Sequence, residues 1–160
     1  MLVVPEPLIG EEVATIPGLD GQKMSKSYNN VIPLFAPAKQ VRKSIMRIQT
    51  DSLGVEDSKD PDQCNIFQLY RHFATVEEQA TLAERYRAGG MGYGEAKQQL
   101  FEAVERELGE AREAYFQLRE QPETLEGILE KGRDKARRVA LEVRKRVRSS
   151  ICLLYTSDAA

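Results

Sequence analysis

Cysteine is scarce in this sequence, and its hydrophobic residues form no long uninterrupted run. The two cysteines, Cys64 and Cys152, are too few for a disulfide framework and have no neighbouring ligand cluster that would indicate zinc. No apolar segment approaches the ~20 residues that a membrane span needs, and residues 1–9 lack the basic start of a secretory leader. We therefore expect a soluble protein from a reducing compartment.

Net charge is also small, at −2 from 23 Lys and Arg against 25 Asp and Glu, which excludes a uniformly basic nucleic-acid binder. The average conceals one basic segment, residues 131–148, in which only Asp134 and Glu142 are acidic. Its bases are Lys131, Arg133, Lys135, Arg137, Arg138, Arg144, Lys145, Arg146 and Arg148. A basic element on an otherwise acidic body can steer a polyanion locally.

The spacing of apolar residues predicts a mainly α-helical fold after residue 36. Five helices are expected, over residues 38–48, 66–73, 75–88, 101–118 and 125–147. Thr75 followed by Glu78 fits a capping box at the start of the third helix, and the pair Gly89-Gly90 marks its end. Pro122 separates the last two helices.

The two ends of the chain depart from this helical pattern. The first 35 residues hold short apolar runs between prolines and glycines, which we interpret as strand ends and loops. Residues 151–155 form an apolar run directly after a heavily charged helix, without a capping signal. This segment resembles translated vector sequence more than a native strand, so we predict a helical domain over 36–148 and a non-native tail over 149–160.

Residues 18–30 read Gly-Leu-Asp-Gly-Gln-Lys-Met-Ser-Lys-Ser-Tyr-Asn-Asn, which predicts a loop with two lysines three residues apart. We call this segment the lysine loop. Its ammonium groups, Lys23 and Lys26, and the hydroxyls of Ser25 and Ser27 suit a polyphosphate. Donors aimed at a leaving pyrophosphate stabilise the transition state more than the ground state. The alternative is an exposed loop without function, which is the usual fate of such a composition.

The ungapped string of residues 23–27 matches the KMSKS motif of class I aminoacyl-tRNA synthetases, and the similarity extends well beyond it. The segments that resemble bacterial tryptophanyl-tRNA synthetases are residues 14–21, 27–30, 50–52, 60–62 and 89–97. This resemblance covers about residues 1–147. The tyrosyl-tRNA synthetases are the nearest related family, but they lack the Gly-Gly-Met-Gly-Tyr-Gly stretch.

The resemblance implies a C-terminal helical bundle preceded, in residues 1–35, by the last part of a Rossmann-type α/β catalytic domain. It implies a cytoplasmic, homodimeric ligase that uses ATP with Mg²⁺ to form tryptophanyl-adenylate and transfers tryptophan to its tRNA. The catalytic residues would be Lys23 and Lys26, which hold the triphosphate and neutralise the leaving group. The ATP-binding residues would be Ile16, Lys23, Met24, Ser25, Lys26 and Ser27.

One expected part of such an enzyme is missing from the sequence. The HIGH motif is absent, the single histidine, His72, lies in the second predicted helix, and no residue can be assigned to a tryptophan pocket. We therefore interpret the chain as a C-terminal fragment that is inactive alone. A stand-alone helical RNA-binding module and a helical interaction domain without nucleic acid are the alternative interpretations.

The last predicted helix carries the candidate tRNA contacts, Lys131, Lys135, Arg138, Arg144 and Lys145. They suit RNA phosphates, but packing against the acidic fourth helix explains the same charges.

Three further features have structural interpretations that we favour. His72 is expected to be a packed or surface residue and Cys64 a small buried hydrophobe. Residues 89–94 are expected to form a helix–helix turn with a left-handed glycine cap, not a phosphate cradle, with Tyr93 and Lys97 as candidate tRNA contacts.

Overall fold

The computed structural model of the protein describes residues 3–10 and 15–151, and helices dominate them. The helices are α1 (Ala38–Met46), α2 (Asn65–Tyr70), α3 (Val76–Ala88), α4 (Tyr93–Arg119) and α5 (Pro122–Ser150). Two single 3-10 turns, Lys26–Tyr28 and Pro61–Gln63, lie between them. The prediction of a mainly α fold with five helices is confirmed. The described residues contain no β-strand, only one antiparallel bridge between Pro17 and Lys23, so the expected strand ends are not formed there.

The chain divides into two compact units, residues 9–115 and residues 1–8 with 116–160. The predicted domain boundaries at residues 35 and 148 stay predictions. Among the described residues, no helix is both long and apolar enough to cross a membrane.

The hydrophobic core lies in the unit of residues 9–115 and is built by α1 to α4. Each helix contributes a fully buried side chain, which is Ile45 in α1, Ile66 in α2, Tyr86 in α3 and Leu100 in α4. The segment before α1 packs on this core through partly buried side chains, which are Leu19, Met24, Ile32 and Leu34. Two of these side chains, Leu19 and Met24, belong to the lysine loop, and their packing fixes the loop to the helical core.

The start of α3 follows the predicted capping box. The Thr75 hydroxyl accepts a hydrogen bond from the Glu78 N–H at 3.3 Å, and the Glu78 carboxylate accepts one from the Thr75 N–H at 2.8 Å. The helix ends at Gly89, whose φ of +77° and ψ of −173° differ from the expected left-handed cap. A side chain at Gly89 would meet the Glu56 carbonyl oxygen at 2.5 Å, so this turn requires glycine.

The long helices differ in burial. Helix α4 begins eight residues before the predicted start and buries Ala96, Leu100, Ala103 and Val104 together with one charged residue, Arg112. Helix α5 begins at Pro122, where the missing N–H costs no hydrogen bond, and none of its residues is buried. It continues through Ser150, two residues into the predicted tail, and residues 152–160 lie outside the described part of the chain.

Replacing the cap of α3 should lower the stability of the chain. Thr75→Ala leaves the Glu78 N–H, in the first turn of α3, without its side-chain acceptor. The free energy of unfolding in urea titrations should therefore fall by about 1 kcal/mol. Thr81→Ala is the matched control in the same helix. The Thr81 hydroxyl is exposed and only donates back to the Glu77 carbonyl, so this change should be neutral or slightly stabilising. Equal losses for both variants would contradict the capping role.

Candidate functional site

The lysine loop is a closed turn held by its own backbone. Pro17 and Lys23 form the antiparallel bridge, and beside it the Met24 N–H donates to the Ile16 carbonyl at 2.9 Å. Within the turn, the Gly18 N–H donates to the Gln22 carbonyl at 2.7 Å. The predicted ATP-binding residues, Ile16 and residues 23–27, are thereby brought into one continuous structure.

Asn30 is the internal anchor of the loop and is only 3% exposed. Its Oδ1 accepts from the Ser25 N–H at 2.8 Å, and its Nδ2 donates to Asp20 Oδ1 at 2.8 Å and to the Lys23 carbonyl at 3.1 Å. A Cβ at Gly18 would come within 2.4 Å of the Asn30 amide nitrogen, so glycine is required there for Asn30 to enter. One amide side chain thus ties together the first lysine, the central serine and the acidic residue before them.

The second lysine lies on the 3-10 turn of residues 26–28. Ser25 caps this turn by accepting from the Ser27 N–H at 3.3 Å, and Asn29 closes it with a φ of +54°. Asparagine tolerates this left-handed conformation better than most residues. Both lysine side chains are exposed, and neither enters an ion pair within the described residues. Their positive charge is therefore available to a ligand.

Asp20 is occupied inside the loop and does not neutralise the lysines. The Asn30 amide donor is the main cause that lowers the pKa of the Asp20 carboxyl below its ordinary value; partial desolvation opposes it, and the Gln22 N–H adds to it. Because the pKa is lower in the folded state, this interaction stabilises the loop at pH values above the unfolded pKa. The stabilisation is lost as pH falls through the folded pKa.

An apolar cavity of about 130 Å³ lies under the loop. Ile16 and Met24 line it together with Leu34 and with core residues of α1, α2 and α4. Ile16 is 37% exposed, so part of its apolar surface is open to a ligand. The loop thus presents apolar side chains, Ile16 and Met24, to this cavity, while its two lysine side chains are exposed.

The five predicted RNA contacts lie on α5, in the other unit, and all five side chains are exposed. Within the described part of α5, Arg133 forms the ion pairs: its Nε lies 3.0 Å from Asp134 Oδ1 and its Nη1 lies 3.7 Å from Glu130 Oε1. The acidic residue Glu105 of α4 is bound by Arg112 of the same helix.

The other sequence candidates have structural roles. Cys64 is buried with its sulfur 3.4 Å from the Tyr86 hydroxyl, as expected of a buried hydrophobe.

The Tyr93 hydroxyl donates to Asp51 Oδ1 at 2.6 Å, and burial with this contact raises the pKa of Tyr93. Lys97 donates to the Met46 carbonyl at 3.2 Å, and burial lowers the pKa of Lys97. His72 is exposed just after α2. Across the described residues, no cluster of three or more metal-ligating side chains occurs.

Sequence reasoning missed the two residues that shape the loop, Asp20 and Asn30. Both are part of the matched string, but polar residues in a predicted loop are expected at the surface, and only the fold places Asn30 inside. Arg112, which the structure buries against the segment after the loop, was also missed, because a charged residue outside the predicted apolar stripe of the helix is expected at the surface.

Asn30→Ala should raise the pKa of Asp20 back toward its ordinary value, because the main donor to that carboxylate is removed. The measurement is an NMR titration of the Asp20 carboxyl in the 160-residue chain. Glu78 is the internal control, since its pKa is lowered by Arg106 and Thr75, away from the loop, and should stay low. An unchanged Asp20 pKa in a variant with a normal Glu78 titration would contradict this assignment.

Comparison with known proteins points to one family. The profile of the class I tRNA synthetases (W and Y) matches residues 1–109. The tryptophan–tRNA ligase of Pseudomonas syringae pv. tomato is 50% identical over 151 residues, which are 94% of this chain and 33% of that protein. The ligase of Rhodopirellula baltica is 50% identical over 135 residues, which are 84% of this chain and 42% of that protein.

A solved structure supports the same relationship. The tryptophanyl-tRNA synthetase of Campylobacter jejuni, complexed with ADP and tryptophan, superposes with a TM-score of 0.79 at 44% identity. The match covers 92% of this chain and 46% of that one. The resemblance found in the sequence is confirmed: the chain belongs to the class I tRNA synthetases of the tryptophan and tyrosine branch, and it spans about a third of the length of the tryptophan–tRNA ligases that it matches.

Proposed function

We propose that this chain is the part of a tryptophan–tRNA ligase that holds the triphosphate of ATP during tryptophan activation. The observation that carries the proposal is the lysine loop. Lys23 and Lys26 are exposed there without an ion-pair partner among the described residues, and the buried Asn30 fixes the backbone at Lys23 and Ser25. Membership of the family and the ADP and tryptophan in the Campylobacter structure support the choice of nucleotide and amino acid.

The reaction explains why lysines are needed in the loop. A carboxylate oxygen of tryptophan bonds to the α-phosphorus of ATP, and the bond from that phosphorus to the bridging oxygen breaks, so pyrophosphate leaves with added negative charge. Lys23 and Lys26 would neutralise this charge, while the hydroxyls of Ser25 and Ser27 supply further donors. A ribose hydroxyl of the tRNA then attacks the adenylate carbonyl, and AMP leaves.

The donor set of the loop fits a magnesium-bound triphosphate, not a bare metal. Its free groups are ammonium and hydroxyl, and the one loop carboxylate, Asp20, is already bound to Asn30. Magnesium would therefore enter on the phosphate oxygens and neutralise part of their charge. Ile16 and Met24, on the apolar side of the loop, would receive the adenine.

The remaining assignments follow from the family and are proposals for the whole enzyme. Residues 1–35 would be the end of a Rossmann-type catalytic domain, with the HIGH motif and tryptophan pocket in the two thirds of the relatives that this chain does not span. The enzyme would be a cytoplasmic homodimer that acts on tRNA(Trp).

Amino-acid-dependent exchange of pyrophosphate into ATP tests the substrate. The enzyme to use is a chimaera in which residues 1–150 replace the matching third of the Pseudomonas syringae relative. Exchange with tryptophan but not with tyrosine is expected. Exchange with tyrosine would assign the loop to the sister enzymes, and no exchange would contradict the proposal.

Lys26→Ala in the chimaera should slow adenylate formation about 10²–10³-fold, because a donor to the leaving pyrophosphate is lost. The dissociation constant for tryptophan should change little. Lys43→Ala is the control, since Lys43 is an exposed lysine of α1 outside the loop. A single-turnover rate that Lys26→Ala leaves unchanged would remove Lys26 from catalysis.

We also propose that α5 binds the backbone of tRNA. Lys131, Lys135 and Arg138 follow one another at helical spacing on an exposed surface, and they are not held by acidic partners within the described residues. Such a row of free cations suits successive phosphates and gives no sequence information by itself.

The salt dependence of tRNA binding tests α5. Replacing Lys131, Lys135 and Arg138 by glutamine should weaken binding and reduce the slope of log affinity against log salt by about 2–3. Arg133→Gln is the matched control, because this arginine is already paired with Asp134 and Glu130 and should change the slope far less. Fluorescence anisotropy with labelled tRNA(Trp) is the measurement. An unchanged slope in the triple variant would place the RNA contact elsewhere.

A further inference from the structure

Arg112 of α4 is a charged residue in the core, only 4% exposed. Its Nη1 donates to Glu105 Oε1 at 2.5 Å, about two turns earlier on the same helix. Its Nε donates to the backbone carbonyl of Leu34 at 2.9 Å, across a sequence separation of 78 residues. The guanidinium therefore joins α4 to a segment that has no regular secondary structure.

That segment, residues 31–37, connects the lysine loop to α1. Next to the Leu34 carbonyl, the ring of Phe35 packs on Tyr115 of α4 with 5.3 Å between ring centroids. The Leu34 side chain lines the same apolar cavity as Met24, which directly follows the first loop lysine. Arg112 thus fixes the backbone of one wall of the cavity on which the loop rests.

Packing alone does not account for an arginine at this position. Removing a guanidinium from water is costly, and an apolar side chain of similar volume is often as stable or more stable in a core. The Arg112 Nη2 is buried and has no hydrogen-bond partner among the described residues. What the arginine supplies, and a hydrophobe cannot, is a directed donor to a carbonyl in an irregular segment.

We propose that Arg112 is a positioning residue for the lysine loop. By holding the Leu34 carbonyl it fixes the exit of the loop, while Asn30 fixes its interior, and together they set where Lys23 and Lys26 meet the triphosphate. This role deepens the proposed function and rests on it. Without the guanidinium, segment 31–37 can move, Met24 loses a fixed opposing wall, and the lysines spread over more positions.

Hydrogen exchange of the 160-residue chain tests the positioning without any need for activity. Arg112→Leu should speed hydrogen exchange of the Met24 and Ser25 amides at least several-fold. The Met24 N–H is bonded to the Ile16 carbonyl and the Ser25 N–H to Asn30 Oδ1, so both amides lose protection when the loop loosens. Arg85→Leu is the control. Arg85 of α3 forms an ion pair with Glu95 of α4 at 2.7 Å, and neither residue lines the cavity under the loop.

Two further variants separate positioning from general stability. Glu105→Gln removes the ion pair but leaves the bond to Leu34, so loop exchange should stay near that of the unchanged chain. Arg112→Lys keeps the charge and one donor, so it should give an intermediate rate. Equal acceleration of the loop amides by Arg85→Leu or Glu105→Gln, or no acceleration by Arg112→Leu, would overturn the proposal.

Kinetics of the chimaera link the positioning to ATP. Arg112→Leu should raise the KM for ATP several-fold or more in pyrophosphate exchange and leave the KM for tryptophan within about twofold. If the unsubstituted chimaera does not exchange pyrophosphate into ATP, the proposed function is contradicted. The hydrogen-exchange rates of the 160-residue chain would then still test the positioning role of Arg112. Equal changes in both KM values would show a general structural defect and contradict the role of Arg112.

Discussion

The geometry of the lysine loop depends on one buried amide, the side chain of Asn30. An amide offers both an acceptor and donors, and here Oδ1 takes the Ser25 N–H while Nδ2 binds Asp20 and the Lys23 carbonyl. A carboxylate at this position would lack the donors, and an apolar residue would remove all three of these hydrogen bonds. The buried amide thus orders a loop on which both lysine side chains are exposed, while the Asp20 carboxylate accepts its hydrogen bond from Asn30.

Much of the helical fold could be predicted because it is encoded locally. The apolar spacing of α1 and α2, the capping box at Thr75 and the break at Pro122 are signals within a few residues, and the structure places its helices accordingly. The ends of helices were predicted less well. Helix α4 starts at Tyr93 because the turn of residues 89–92 is fixed by contact with the distant loop around Glu56, which no local pattern reveals.

The site divides in the same way. The five-residue string predicts the two lysines as site residues directly, since their spacing and neighbours are a local signature. The interior position of Asn30 and the burial of Arg112 depend on contacts made after folding, and residue type alone argues against both. The two units of the chain carry different parts of the proposed chemistry, with the phosphate-binding loop in residues 9–115 and the exposed cationic helix α5 in the other.

The hydrogen bonds that shape the loop nearly all join residues within 16–30, so this stretch is a self-contained structural unit. This property matters for protein engineering. Moving only the five residues of the string into another scaffold would transfer the charges without the groups that orient them. A graft that carries residues 16–30 as one block, and provides an apolar surface beneath Ile16 and Met24, would transfer the geometry as well.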